Sequence, residues 1–209
     1  MTRAVFLDAL GTLVELEPPW IWLRPLVPDE ISDEQLVEAL KAEMAYYKEH
    51  AHEGRDEASL AELRDRCAAL VSGKLGMDVG VEELVEAIRF SPYADAAPAL
   101  GALRDRGLRL VAVSNWDCSL PRVLESCGLE GLLDGTITSA EAGARKPDPA
   151  IFAPALELAG CAPDEALHVG DTAEEDVAGA RAAGIRPLLI DRDGTEGDIS
   201  SLREIDQHL

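Results

Sequence analysis

AVFLDALGTL, residues 4–13, runs four apolar residues into an aspartate and then turns through Ala9 and Leu10 to Gly11 and Thr12. An uninterrupted apolar run of this length suits a strand covered on both faces, as in a parallel sheet sandwiched between helices. Gly11 lets the backbone bend and come close to a ligand. Asp8 is therefore expected at the carboxyl end of a buried strand, the place where open parallel sheets carry their chemistry. By itself a carboxylate there is a nucleophile, a metal ligand or a turn former, and turns are the commonest use of Asp followed by Gly.

Three later segments repeat the pattern: LRLVAVSN (108–115), ALHVGD (166–171) and RPLLID (186–191). Helical periodicity fills 95–107, 119–128, 148–160 and 173–184, each stretch ending on a glycine. Alternating short strands and helices predict an α/β fold with a Rossmann-like, three-layer parallel sheet core. Residues 15–91 break the alternation with a mostly helical pattern. Ser32 and Gln35 form a capping-box signature before 32–50, where Leu36, Leu40, Met44 and Tyr47 recur at helical spacing, and further helices are expected over 56–76 and 81–90. The division that follows is a core of 1–14 and 92–209 with an α-helical cap of 15–91, hinged near Glu15–Pro19 and Ser91–Pro92. Trp20, Trp22 and Arg24 lie in the proline-rich stretch after the first strand, where aromatics line a pocket or pack between the two parts, and where Arg24 is placed to meet a substrate anion.

Composition narrows the partners. The chain has 209 residues, 47% of them hydrophobic, and 19 Lys and Arg against 40 Asp and Glu, a net charge of −21. A field of that sign repels phosphate backbones and anionic lipid surfaces, which excludes nucleic acid and membrane as expected partners and leaves a small-molecule substrate. The opening apolar stretch is too short for a signal peptide and no run of about 18 apolar residues occurs, so a cytoplasmic protein is expected. Cys67, Cys118, Cys127 and Cys161 show no zinc spacing and read as free thiols.

Three further positions give Asp8 company. Ser114 and Asn115 follow the strand 108–113, where a hydroxyl, an amide and free N–H groups hold an anion or cap a helix. Lys146, in GARKPDPAIF (143–152), is a cation fixed before a proline in an acidic chain. Asp171 ends the strand of HVGDTAEED (168–176), and Asp176 follows in the first turns of the next helix; Glu174 and Glu175 there suit the helix dipole. Asp171 paired with Asp8 makes an oxygen site fit for Mg²⁺. The ordered set of Asp8 in DALGTL, Ser114 in VSNWD, Lys146 in GARKPDPAIF and Asp171 with Asp176 in GDTAEED resembles the haloacid dehalogenase superfamily of hydrolases, over residues 1–14 and 92–191. The resemblance implies that Asp8 attacks phosphorus or carbon to form a covalent intermediate, that Ser114, Asn115 and Lys146 hold the transferring group, and that Thr12 supports the turn. It also implies that Asp8, Asp171, Asp176 and the backbone carbonyl of residue 10 hold Mg²⁺.

Residue 10 is where the chain departs from the pattern. Superfamily phosphatases usually carry a second aspartate there, which protonates the leaving group and then activates water, work of roughly 10²–10⁴-fold. Leu10 supplies the carbonyl and not the acid. Four functions remain open: a Mg²⁺-dependent phosphatase of a small metabolite, with the acid coming from His50, His52 or Glu17 or made unnecessary by a good leaving group; a haloacid dehalogenase, whose departing halide needs no proton; a phosphonate hydrolase using Lys41, Lys48 or Lys74 as an amine; and a catalytically weak protein that binds a phosphorylated ligand.

Overall fold

Ala4 and Phe6 pack to one side of the first strand and Val5 and Leu7 to the other, and all four are fully buried. That two-sided cover makes β1 (Ala4–Leu7) the centre of a parallel sheet in the computed structural model, which describes residues 1–194 and 196–209. β4 (Arg109–Ser114) and β6 (Ala166–Gly170) flank it, with Ala4 opposite both Arg109 and Ala166. β7 (Arg186–Leu189) pairs outside β6, and β5 (Gly135–Thr138) outside β4, giving the order β5-β4-β1-β6-β7. The reading of the sequence has no strand at β5. Gly135–Thr138 contains one large apolar residue, Ile137, so the segment becomes a strand by pairing with β4, Val111 lying opposite Gly135.

On one side of the sheet, α5 (Ala96–Asp105) and α6 (Leu120–Ser126) pack Leu100, Leu103, Leu120 and Leu124 against Val5, Leu7, Leu110 and Leu167. On the other, α8 (Ala153–Ala159) and α9 (Ala178–Ala182) bring Ala155 and Ala180, with Phe152, against Phe6, Val111 and Val113. Burial of Phe6 alone contributes about 1.5–3 kcal/mol. The helix expected from residue 173 opens instead with a wide π turn, Ala173–Val177, because the N–H groups of Asp176 and Val177 both donate to the Thr172 carbonyl.

Residues 19–87 form a helical unit of α1 (Pro19–Leu23), α2 (Asp33–His50), α3 (Glu57–Leu75) and α4 (Val81–Ala87) around Leu23, Leu36, Leu40, Leu63, Val71 and Leu84. Ser32 and Gln35 cap α2 reciprocally, the Ser32 N–H donating to Gln35 Oε1 at 2.9 Å. Met44 leaves this core and stays exposed, unlike Leu36 and Leu40. The two crossings between the unit and the sheet run through the segments expected as hinges. They pair as an antiparallel ribbon of β2 (Val14–Leu16) and β3 (Phe90–Pro92), Leu16 opposite Phe90, in which each crossing satisfies the other's backbone. Arg24 does not face a substrate: its guanidinium donates to the Val27, Pro28 and Ile31 carbonyls and pairs with Asp33, closing the turn before α2. The four cysteines are free thiols.

Candidate active site

The carboxyl ends of β1, β4 and β6 lie side by side, so Asp8, Ser114 and Asp171 meet although about fifty residues or more separate them in sequence. Asp8 is anchored by its own N–H, which donates to the Val169 carbonyl at 2.9 Å. Its Oδ1 accepts from Ser114 Oγ at 2.8 Å and from Lys146 Nζ at 2.5 Å. Lys146, on the loop that follows α7 (Ser139–Ala142), reaches inward until its ammonium is 2% exposed, and it also donates to Asp176 Oδ1 at 2.5 Å and the Val113 carbonyl at 3.0 Å. One cation thus ties two carboxylates to the end of β4.

Burial sets the charge states. Burial raises the Asp8 carboxyl above the usual aspartate range against the pull of Lys146, and Asp176 adds to the rise. Burial works against the Lys146 ammonium, but Asp8 and Asp176 together hold its pKa above the ordinary lysine value. Burial opposes the Asp176 carboxylate too, yet Lys146 and His168 hold its pKa well below the usual range. Asp171 is pushed up to about 6, by burial first and then by Asp8 and Asp176.

One carboxylate oxygen from each of Asp8, Asp171 and Asp176 lies within 4.8 Å of the others. A divalent cation fits this set. Asp171 rests against Gly11, whose φ is +79°, so closely that a Cβ there would stand 2.1 Å from Asp171 Oδ2. Among the described residues, none of the loop's backbone hydrogen bonds ends on the Leu10 carbonyl. Asp176 is already engaged: Oδ1 takes Lys146 and His168 Nε2, the latter at 2.8 Å, and Oδ2 takes the Thr172 N–H at 3.1 Å. It orients the cluster more than it offers a free oxygen. Gly11→Ala is expected to cost about 1–2 kcal/mol in backbone strain alone and to push Asp171 from Asp8. Urea denaturation and a Mg²⁺ titration read the two effects, and unchanged Mg²⁺ affinity would contradict this packing.

The hydrogen bonds bear on two of the expected roles. Asn115 does not turn its amide to a ligand: Nδ2 donates to the Lys146 carbonyl at 3.0 Å and to Glu175 Oε2 at 3.1 Å, and Oδ1 accepts the Lys146 N–H at 2.7 Å. Its side chain fixes the loop that aims the lysine. Thr12 is fully buried beneath the turn, and its Oγ1 has no hydrogen-bond partner among the described residues. Leu10 stands 41% exposed beside Asp8 and Asp171 on the floor of a cleft of about 940 Å³ between the sheet and the helical unit.

Of the expected acid sources, Glu17 lines this cleft, whereas His50 stacks on Tyr46 with Nδ1 bonded to the Tyr46 carbonyl. His52 is likewise outside the cleft lining. Lys48 lines the cleft and pairs with Glu175 at 3.2 Å; Lys41 pairs with Glu38 on its own helix. Trp22 forms part of the wall, with the Arg89 guanidinium 3.8 Å above its ring.

Several contributors escape the sequence reading. His168 sits fully buried inside β6, edge-on to Phe152, behind Asp176. Glu175, a dipole residue by its position, joins Asn115 to Lys48 and so joins core to insert. Tyr47 donates to Asp117 Oδ2 at 2.7 Å, a second link between the two parts. Arg192 grips Asp95 and donates to the Thr12 carbonyl, bracing the turn after Asp8 from the C-terminal segment. Glu43, 2% exposed, lines the cleft from α2. Its signal was available: 36, 40, 43 and 47 are one helical stripe, and a carboxylate in a buried stripe needs a reason.

A family model described as haloacid dehalogenase-like hydrolase matches residues 2–184. The chain belongs to this family. Within it, the hydrolase is 40% identical to phosphoserine phosphatase of Thermus thermophilus over 116 residues, 53% of this chain and 47% of that protein. The chain spans about half the length, or less, of the first curated relatives that it matches. Among solved structures it superposes on a HAD phosphatase from Thermococcus onnurineus with a TM-score of 0.71 at 28% identity, covering 99% of this chain and 97% of that one. It also shares its fold with L-2-haloacid dehalogenase of Xanthobacter autotrophicus, at a TM-score of 0.75, 23% identity, and 99% and 98% coverage. A hydrolase with phosphatase-named relatives follows from these matches. No helix among the described residues is long and apolar enough to cross a membrane.

Proposed function

We propose that this hydrolase is a Mg²⁺-dependent phosphatase of small phosphorylated metabolites, acting through an aspartyl phosphate on Asp8. The observation that carries the reading is Asp171 held against Gly11 beside Asp8, opposite a buried lysine. A carboxylate can approach a phosphate only when charge is neutralised, and two converging acids plus Lys146 supply the means. Halide displacement from carbon needs no such pair, and Asp171 would then only repel Asp8. Phosphatase-named relatives point the same way.

In this reading Lys146 and Ser114 hold Asp8 Oδ1, leaving Oδ2 to attack phosphorus in line with the leaving oxygen. Asp8, Asp171 and the Leu10 carbonyl would hold Mg²⁺, with Asp176 orienting the set; the ion neutralises phosphate charge and fixes the group for attack. Residues 15–91 act as a cap on the core of 1–14 and 92–209. Its closure keeps bulk water from the Asp8 ester, and the cleft admits a small substrate.

The test is hydrolysis of p-nitrophenyl phosphate, whose leaving group needs little protonation. Turnover is expected with Mg²⁺, is lost on adding a chelator and returns with excess Mg²⁺. Chelator-insensitive chloride release from 2-chloropropionate, without phosphate release, would make the protein a dehalogenase. Borohydride trapping of an amine adduct would make it a phosphonate hydrolase. No turnover of any substrate, with beryllium fluoride and Mg²⁺ still raising the melting temperature, would leave a binding protein.

A further inference from the structure

Leu10 leaves the reaction without an acid next to Asp8, and the cleft holds two fully buried carboxyl groups outside the Asp8 cluster, Glu43 and Asp117. Asp117 is committed: Oδ1 accepts the Ser119 N–H at 2.6 Å and Oδ2 the Tyr47 hydroxyl at 2.7 Å. Glu175, a third cleft acid, is tied to Asn115 and Lys48. Among the described residues, the side-chain partner of Glu43 is the Cys67 thiol of α3. Glu43 lies one helical turn, a rise of about 6 Å, before Tyr47 and Lys48, which bond from α2 to Asp117 and Glu175 of the core. We infer that Glu43 is the proton donor and acceptor of the phosphatase reaction, supplied by the insert in place of the carboxylate absent at residue 10.

The inference rests on the aspartyl-phosphate reading above. As Asp8 bonds to phosphorus, the bond to the leaving oxygen breaks with its electron pair, and that oxygen takes the Glu43 proton, directly or through one water, and departs as an alcohol. The Glu43 carboxylate then takes a proton from the water that attacks phosphorus. The phosphorus bond to Asp8 breaks, inorganic phosphate leaves, and Asp8 returns as carboxylate and Glu43 as acid. Burial suits the role, holding the Glu43 carboxyl above the ordinary glutamate range against a smaller pull from the thiol. The Cys67 thiol itself is pushed up to about 12 and brings no charge at neutral pH.

The test compares two leaving groups in wild type, Glu43→Gln, Glu43→Asp and Glu17→Gln, with melting temperature as a check on folding. With β-glycerophosphate, whose alkoxide needs a proton, E43Q is expected to lose about 10²–10⁴-fold in kcat/KM, while p-nitrophenyl phosphate loses less than about tenfold. E43D, which keeps an acid, is expected to recover at least about tenfold of the β-glycerophosphate loss. A purely structural Glu43 would lower both substrates alike, and that result, or no loss on either, overturns the inference while wild-type turnover leaves the phosphatase reading standing. So would a leaving-group signature in E17Q and not in E43Q. Wild type inert on both esters removes the phosphatase reading and this inference with it.

Discussion

Asparagine in place of Asp8 is expected to lower phosphomonoester turnover by about 10⁴–10⁶-fold, the scale on which loss of a covalent nucleophile is felt. The substitution is nearly isosteric, and the amide oxygen still accepts from Ser114 Oγ and Lys146 Nζ, so the loop keeps its hydrogen bonds. Lys146 also keeps Asp176, so its charge is not stranded. Burial raises the Asp8 carboxyl, which means that the ionised group is held at a cost; removing the charge leaves the melting temperature level or higher. The expected result is therefore a folded protein without chemistry. Acid-quenched wild type given ³²P-labelled substrate is expected to retain label that hydroxylamine releases, and D8N none. Residual turnover above about 1% of wild type would contradict Asp8 as the nucleophile.

Lys146→Met attacks both stability and chemistry. It removes the ammonium that bonds both Asp8 and Asp176, which are 6% and 2% exposed. Breaking a buried ion pair from one side costs about 3–5 kcal/mol, because the remaining charges are left uncompensated. For a chain of this size that corresponds to a fall of about 6–20 °C in melting temperature. The deficit has a pH signature. In wild type the Asp176 pKa is held below its unfolded value, so the pair's stabilisation is present above the unfolded aspartate range and is lost as pH falls. In K146M both carboxyls are free to take protons and become neutral, so the difference between the two proteins should shrink as pH approaches about 4. Arginine should not rescue activity: its planar fork does not fit a 2% exposed pocket that receives one ammonium between oxygens at 2.5 Å. A K146M protein as stable as wild type at pH 7 would show that Lys146 is not the countercharge of the cluster.

Asp8, Ser114, Lys146 and Asp171 were legible because each is punctuated locally: an apolar run stops, and a small or charged residue stands at its end. The roles expected of them came from the family resemblance that their order carries. β5 was not legible, since Gly135–Thr138 owes its strand to the β4 edge and not to its own pattern. Asn115 misled for the opposite reason. Its type suits an anion, but its amide is consumed by a loop thirty-one residues away. The pairing of β2 with β3 was not legible either, because backbone groups at the two crossings find each other across the whole insert.

By itself the amino-acid order determined the α/β core, the helical insert and the strand-end aspartates, because hydropathy period and turn residues act over a few positions. Only the tertiary structure decided which groups are free. Asp176 and Asn115 are occupied, Arg24 is spent on its own turn, and Glu43 is buried in the wall of the Asp8 cleft. Whether a polar side chain has a partner depends on atoms brought from distant segments, and burial then fixes its charge; neither quantity is written in any local window of the chain.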